Sequence, residues 1–321
     1  MPRGIFRLKQ VYEEQLSGNW STKGDVWNTP SPFTKAFPFG YFSGGTGPIS
    51  TVDRIDYSND TGTAPAKGPL SVARNGLAAT GNASFGYFGG GAPGPKSTVD
   101  RVDYSNDTAT AVAKGPLSSA RYYLAATGNT NFGYFGGGSG PNSTVDRVDY
   151  SNDTATAVAK GPLSAGRAAG ACSSRANAIP AIGTVNYAAG TLATPNTGYF
   201  AGGYQTSTNP NQLTLVERID YSNDTATAVE KGPLNTQTWR MGGTGVGNQS
   251  FGYIGGGYNP SSPTLSTVQR IDYLNDTATA LARGPLTAAR KYSAGMSNEN
   301  FGYFAGGSPS PVLVDRIDFS N

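Results

Sequence analysis

The sequence predicts an all-β fold, and its composition, its turn residues and an internal repeat each indicate it. The 321 residues include 45 Gly, 18 Tyr and 14 Phe, while charged residues make up only 14% of the chain. Low charge and many glycines also occur in disordered chains, but those chains are poor in aromatic residues. Short runs rich in Val, Ile, Thr and Tyr alternate with Gly, Asn, Asp and Pro, as expected for strands joined by tight turns.

A landmark of the FGYFGGG type recurs six times along the chain. Its copies begin at Phe39, Phe85, Phe132, Thr197, Phe251 and Phe301. The shortest interval is 46 residues, from the first copy to the second, and the longest is 65 residues, from the third to the fourth. Such periods, with several strand patterns in each, are typical of propeller blades rather than helical solenoids.

Each unit contains four strand patterns, which we call strands A to D. In the third unit they are RYYLAATGN from Arg121, the landmark from Phe132, STVDRVDY from Ser143, and TATAVAKGPL from Thr154. The breaks TGN, SND and KGPL carry the Gly, Asn, Asp and Pro residues of tight turns. The sequence therefore predicts a six-bladed β-propeller with four-stranded antiparallel blades, in which the tyrosine ending strand C, such as Tyr150, belongs to the core.

The sixth unit stops at Asn321 after its strand C. Because an open strand edge exposes unpaired backbone groups, another segment must complete this blade. The sequence STKGDVWNTPSP from Ser21 resembles a strand D with its Pro stop. We therefore predict that residues 21–30 close the last blade, giving a docking segment at 1–20 and a propeller at 21–321.

The lengths of the connections differ within the units. The step from the strand C Val to the following Asp, as from Val99 to Asp107, is 8 in all five complete units. The B–C connections vary, and the fourth unit carries 19 extra residues before its landmark, which we assign to the D–A connection. In an up-and-down blade, B–C and D–A connections share one face, so we expect a binding face there. Its segments are 168–185, 204–212 and 258–266, and its candidate binding residues are Tyr204, Gln205, Asn209, Asn211, Tyr258 and Asn259.

The residue inventory argues against catalysis and metal binding. The chain has no His and one Cys, Cys172, which excludes His-based triads and the usual zinc and copper sites. The Asp-Arg-x-Asp pattern of strand C, as in Asp100, Arg101 and Asp103, recurs from unit to unit, whereas a catalytic pair is normally unique. We interpret these residues as structural, with the arginines bonding between blades. We expect no catalytic residue, no metal and no cofactor.

The net charge of +3 comes without a basic cluster, so no nucleic-acid partner is expected. The N-terminus lacks the apolar core of a signal peptide, and no run approaches the length of a membrane-spanning helix.

The Gly pair ending strand B, the tyrosine ending strand C, and a Pro with an Arg after strand D resemble the kelch-repeat β-propeller family. The Gly pairs are Gly44–Gly45, Gly90–Gly91, Gly137–Gly138, Gly202–Gly203, Gly256–Gly257 and Gly306–Gly307. The arginines are Arg74, Arg121, Arg167, Arg240 and Arg290. The resemblance covers about residues 21 to 321, but small residues such as Ala111 stand where the family has a strand D Trp.

The phrases STVDRIDYSNDTATA, KGPLS and FGYFGGG look more specifically like kelch-like virion structural proteins of marine tailed phages of the cyanophage type. That resemblance implies a non-enzymatic protein of the virion, in a tail, fibre or capsid-surface appendage and present in several copies. Its N-terminal segment would dock to other virion proteins, and its variable loops would contact a host-surface glycan or protein. The alternative is a cellular kelch-type lectin or protein-interaction module.

Overall fold

The computed structural model describes residues 39–44, 47–140, 142–174, 196–204, 214–238, 245–259, 261–298 and 300–321. These residues form six separate antiparallel sheets within one compact unit, so the all-β prediction is confirmed. We number the sheets 1 to 6 in chain order. Sheets 2 to 5 have four strands, and sheets 1 and 6 have three described strands each.

The strands run in chain order within every sheet. Sheet 1 contains strands B to D, which are β1 (Phe39–Ser43), β2 (Val52–Asp56) and β3 (Ala66–Lys67). Sheets 2 and 3 contain β4 (Ala78–Gly81), β5 (Phe85–Gly89), β6 (Val99–Asp103), β7 (Val112–Lys114), β8 (Ala125–Gly128), β9 (Phe132–Gly136), β10 (Val145–Asp149) and β11 (Val158–Ala159). Sheets 4 and 5 contain β12 (Ala171–Ser174), β13 (Thr197–Ala201), β14 (Val216–Asp220), β15 (Val229–Lys231), β16 (Gly245–Gly247), β17 (Phe251–Gly255), β18 (Val268–Asp272) and β19 (Leu281–Arg283). Sheet 6 contains strands A to C, which are β20 (Ala294–Ser297), β21 (Phe301–Ala305) and β22 (Val314–Asp318).

The strands are shorter than the sequence patterns suggested. Strand A of sheet 3 begins at Ala125 rather than Arg121, because Tyr123 has a φ of 57° and cannot continue an extended strand. Strand C ends before its tyrosine, which begins a 3₁₀ helix in three sheets. These helices are Tyr104–Asn106, Tyr150–Asn152 and Tyr221–Asn223.

One predicted loop position is wrong. In sheet 4, strand A (β12) follows Leu163 after the same interval that separates Leu117 from strand A of sheet 3. Strand β12 pairs with β13, and residues 175–195 fall between these two strands. The extra residues therefore belong to the connection between strands A and B and not to the D–A connection. The sequence did not locate the strand, because ACSS lacks the AATG pattern that strand A has in sheets 2 and 3.

The core is a series of tyrosine stacks between neighbouring sheets. The strand B tyrosine of one sheet lies against the ring that follows strand C of the next sheet. Tyr87 is fully buried, and its ring centroid lies 4.6 Å from that of Tyr150, which is half-buried against the same core cluster. The other stacks are Tyr41–Tyr104, Tyr134–Tyr221, Tyr199–Tyr273, Tyr253–Phe319 and Tyr303–Tyr57. The prediction that the strand C tyrosines belong to the core is confirmed for Tyr221 and Tyr273, which are buried, while Tyr57, Tyr104 and Tyr150 are half-buried.

The predicted docking segment, 1–20, and the predicted closing strand, 21–30, lie outside the described residues. Within the described part of the chain, no strand pairs with the outer edge of β22. No helix there has the length and hydrophobicity needed to cross a membrane.

Candidate functional site

The two ends of the strands carry different kinds of side chain. We call the end with the A–B and C–D connections the turn end, and the end with the B–C and D–A connections the loop end. The turn end holds the repeated carboxylates that are the first candidates for chemistry. The loop end holds aromatic residues that differ between the units.

At the turn end, a carboxylate of one sheet bonds to side chains of the preceding sheet. Tyr87 donates a hydrogen bond from Oη to Asp153 Oδ2 over 2.9 Å, and Arg101 Nη1 lies 2.7 Å from the same oxygen. Lys114 Nζ lies 3.1 Å from Oδ1. Equivalent contacts are made by Asp60, Asp107, Asp224 and Asp276. The predicted bonding of strand C arginines between sheets is confirmed.

These contacts fix the ionisation of their members. Burial disfavours the charged form of Asp153, but hydrogen bonds from Tyr87, Lys114 and Arg101 outweigh it and hold the pKa below its usual range. Burial and the hydrogen bond to Asp60 raise the pKa of Tyr303 to about 12. Asp153 is therefore ionised and Tyr303 is protonated at neutral pH. The tyrosine–aspartate hydrogen bond is thus a fixed link between sheets.

The two carboxylates of strand C also have structural partners. Asp100 is fully buried, and its Oδ2 lies 2.9 Å from Arg74 Nη2. Asp103 accepts a hydrogen bond of 2.9 Å from the backbone N–H of Ser105 and so caps the first 3₁₀ helix. Both carboxylates of β6 are thus engaged in holding the fold. Among the described residues, no group of three or more acidic, His or Cys side chains is placed to hold a metal ion.

The loop end carries an aromatic cluster, which we define as Tyr122, Tyr123, Tyr258, Lys291 and Tyr292. The rings of Tyr123 and Tyr292 are stacked with centroids 6.1 Å apart, although they come from the connections leading into sheets 3 and 6. Tyr122 meets Tyr123 edge to face at 4.9 Å. Lys291 Nζ lies 5.3 Å from the ring centroid of Tyr258 and 6.0 Å from that of Tyr292. All five residues are half-buried, so each keeps some accessible surface.

The backbone of the aromatic cluster is constrained. The second residue after the repeated Arg has a positive φ in four units, namely Gly76, Tyr123, Ala169 and Tyr292. The Tyr123 N–H donates to the Gly76 carbonyl over 2.7 Å, and the Ala169 N–H donates to the Tyr123 carbonyl over 2.8 Å. A non-glycine residue in this conformation costs about 1 kcal/mol or more, and such strain collects at functional sites.

The described candidate residues from the sequence lie at the loop end, but they have different roles. Tyr204 exchanges backbone hydrogen bonds of 2.7 and 3.0 Å with Ala168. Tyr258 belongs to the aromatic cluster. Asn259 Oδ1 accepts a 2.8 Å hydrogen bond from the Ser262 N–H and thereby closes its own loop. The other candidates, Gln205, Asn209 and Asn211, lie outside the described residues.

Sequence reasoning missed Tyr123, Lys291 and Tyr292 because RYYLAATGN was interpreted as a strand throughout. One signal was available. The second position after the repeated Arg is Gly in the second unit, Ala in the fourth and Tyr in the third and sixth. Variation at one position between otherwise similar repeats indicates a place where the units differ in their contacts.

The comparisons with known proteins add no relative. No family model matches the chain, and no curated protein matches it. The resemblance to kelch repeats and to phage virion proteins therefore stays a prediction.

Proposed function

We propose that this chain is a closed six-bladed kelch-like propeller that acts as a non-enzymatic binding scaffold of a phage virion. Its loop end would contact a host-surface glycan or protein, and its N-terminal segment would dock to other virion proteins. The observation that carries the binding proposal is the aromatic cluster at the loop end.

Contacts between the last and first sheets support a closed ring. Tyr303 of sheet 6 stacks on Tyr57 of sheet 1 with centroids 5.1 Å apart. Asp60 of sheet 1 accepts a 2.9 Å hydrogen bond from Tyr303 and lies 2.8 Å from Arg316 Nη1. The same stack and the same carboxylate join sheets 1 to 2 and 2 to 3, so one packing rule operates at both ends of the series. In this ring residues 21–30 would add the fourth strand to sheet 6.

A closed ring of six sheets would also account for the stack between the side chains of Tyr123 and Tyr292. Sheets 3 and 6 lie opposite each other in such a ring, so this contact would cross the central axis at the loop end. The cluster would then occupy the mouth of the central channel. Positions at the mouth of a propeller are reached by every neighbouring loop, which suits a shared contact surface.

The chemistry of the cluster favours contact over catalysis. Tyrosine offers a large rigid surface with a hydroxyl group at its edge, at a low entropic cost of ordering. Lys291 adds a positive charge beside two rings. Sugars and peptides both combine apolar faces with hydrogen-bonding groups, so both fit such a surface.

The proposal is tested by binding of the purified full chain to an array of defined oligosaccharides and to intact host cells. The double variant Tyr123→Ala and Tyr292→Ala is expected to lower apparent affinity at least tenfold. The control is Leu274→Ala, which alters a side chain 79% exposed at the turn end. If the control loses binding and the double variant does not, the binding surface lies at the turn end, and the proposal is wrong.

The virion assignment has its own test. Mass spectrometry of purified particles from an infected culture is expected to detect the chain as a structural component. Its presence only in cell fractions, with glycan or protein binding intact, would favour a cellular lectin or interaction module.

A further inference from the structure

One interface breaks the pattern of carboxylate contacts at the turn end. Five aspartates each accept bonds from the strand B tyrosine and the strand C arginine of the preceding sheet. The tyrosine–aspartate pairs are Tyr41–Asp107, Tyr87–Asp153, Tyr134–Asp224, Tyr199–Asp276 and Tyr303–Asp60. The matching residues of sheet 5 are Tyr253 and Arg270, and no carboxylate of the described residues bonds to them.

Tyr253 shows that the missing partner matters. Its side chain is only 2% exposed, and its hydroxyl has no hydrogen-bond partner among the described residues. Arg270 forms no ion pair with any described residue, whereas Arg101 and Arg147 in the same position lie 2.7 Å from an aspartate. A buried hydroxyl without a partner is rare, because water or another protein group normally satisfies it.

The donors nevertheless keep the geometry of the occupied sites. The Tyr253 ring stacks on Phe319 with centroids 5.2 Å apart, close to the 5.1 Å of the Tyr303 stack. The guanidinium of Arg270 lies 4.1 Å from the ring centroid of Phe251, and the matching distance from Arg101 to Phe85 is 4.2 Å. Packing therefore places these two donors independently of the carboxylate.

A third donor completes the set. In β19, Arg283 pairs with Val268, just as Lys114 pairs with Val99 in sheet 2. Lys114 contacts the carboxylate of its site over 3.1 Å, while Arg283 is exposed. Two guanidinium groups and a phenolic hydroxyl, all donors, select an anion, and the planar guanidinium matches the geometry of a carboxylate.

A surface pocket lies beside the ring that stacks on Tyr253. In the occupied sites the aspartate is the third residue after the stacked ring, as Asp153 follows Tyr150. At sheet 6 the stacked ring is Phe319, and none of the described residues places a carboxylate against the Tyr253 hydroxyl. A shallow pocket of about 380 Å³ lies beside Phe319, and its other lining residues are Asn248, Asn300, Phe301, Asp318 and Ser320.

We infer that Tyr253, Arg270 and Arg283 form a binding site for a carboxylate of a polypeptide, which fastens sheet 6 to sheet 5. The carboxylate arrives either from this polypeptide itself or from a second one. The inference rests on the contacts between sheets and is independent of the proposed function of the loop end.

The first test asks whether the site is filled by the same chain. Tyr253→Phe removes the hydroxyl alone, and Tyr134→Phe is the matched variant at an occupied site. If the same chain fills the site, both variants lower the Tm of the full chain by similar amounts. If the site is empty in the isolated protein, Tyr253→Phe leaves the Tm unchanged while Tyr134→Phe lowers it.

The second test supplies the carboxylate from outside when the site is empty. The probe is a blocked peptide with the sequence of residues 151–164, SNDTATAVAKGPLS, and its control carries Asp153→Asn. Isothermal titration calorimetry is expected to show at least tenfold weaker binding of the control peptide, and the same loss for the native peptide with the Tyr253→Phe chain. The inference is overturned if Tyr253→Phe leaves the Tm unchanged and the two peptides bind equally or not at all.

Discussion

The turn end and the loop end of this molecule differ in how uniform the residues are at equivalent positions of the repeats. At the turn end, all six interfaces carry an aromatic stack with centroids between 4.6 and 5.2 Å apart. At the loop end, the position occupied by Tyr123 and Tyr292 in two units is occupied by Gly76 and Ala169 in two others. An aromatic stack is therefore kept at every described contact between sheets, whereas the residue at this loop-end position differs from unit to unit.

At the turn end, two residues that share a buried hydrogen bond are replaced together. The Tyr221 hydroxyl lies 2.6 Å from Thr127 Oγ1, and the Tyr150 hydroxyl lies 3.2 Å from Thr80 Oγ1. In sheets 5 and 6 Phe319 packs in the same core cluster as Val246, so both hydroxyl groups are gone together. Removing both partners of a buried hydrogen bond is nearly neutral, whereas removing one leaves the other unsatisfied.

The largest effect is expected from truncating a strand B tyrosine. Tyr134→Ala removes a fully buried ring that stacks on Tyr221, and it should lower the free energy of unfolding by about 3–5 kcal/mol. The loop-end counterpart, Tyr292→Ala, should cost no more than about 1 kcal/mol, because the ring is half-buried and the positive φ at position 292 is present before and after the substitution. Urea unfolding of both variants makes the comparison, and equal losses would contradict the division between the two ends.

A smaller loss is expected from neutralising one inter-sheet aspartate. Asp153→Asn keeps the shape of the side chain but weakens its bonds to Tyr87, Arg101 and Lys114. Because Arg101 is partly exposed, we expect a loss of about 2 kcal/mol rather than the larger cost of a fully buried pair. Asp224→Asn makes the same change at the next interface and should give the same value in urea unfolding. A clear difference between the two would show that the repeats are not energetically equivalent.

The same contacts predict how stability depends on pH. Hydrogen bonds from the preceding sheet outweigh burial and hold the pKa of Asp107, Asp153 and Asp224 below the ordinary value of an aspartate. A carboxylate whose pKa is lower in the folded state than in the unfolded state stabilises the fold fully when the pH is above its unfolded-state pKa. This stabilisation is lost as the pH falls through the folded-state pKa. We therefore expect Tm to be nearly constant above about pH 5 and to fall steeply below about pH 4. The Asp153→Asn variant should fall less steeply, and a parallel fall would assign the acid sensitivity to other groups.

Much of the fold follows from the sequence because the repeat has a fixed length and distinct turn residues. The landmark from Phe132, the Val145–Asp149 strand and the SND turn were located from periodicity alone. The Asp–Tyr–Arg contacts were not, since nothing in the spacing shows that Asp153 meets Tyr87, which lies 66 residues earlier in the neighbouring unit. Such pairings depend on how the sheets pack.

The candidate site was predicted only in part for a similar reason. Connection length identified the loop end, and Tyr258 lies there in the aromatic cluster. Length alone misplaced the extra residues of the fourth unit, because it records how many residues separate two landmarks and not where the intervening strand lies. The stack of Tyr123 on Tyr292 joins two connections 169 positions apart in the sequence, so only the three-dimensional structure brings them together.

The smallest effect is expected at the contact between sheets 6 and 1. Asp60 bonds to Tyr303 and Arg316, but the Arg316 side chain is 51% exposed, compared with 24% for Arg101. Sheet 6 also has no described strand D that could supply a lysine to Asp60. Solvent screens an exposed ion pair, so Asp60→Asn should cost about 1 kcal/mol, about half the loss expected for Asp153→Asn. A loss equal to that of Asp153→Asn would mean that a further segment covers this interface in solution. No loss at all would argue that sheets 6 and 1 separate in solution, which would contradict the closed ring while leaving the other interfaces intact.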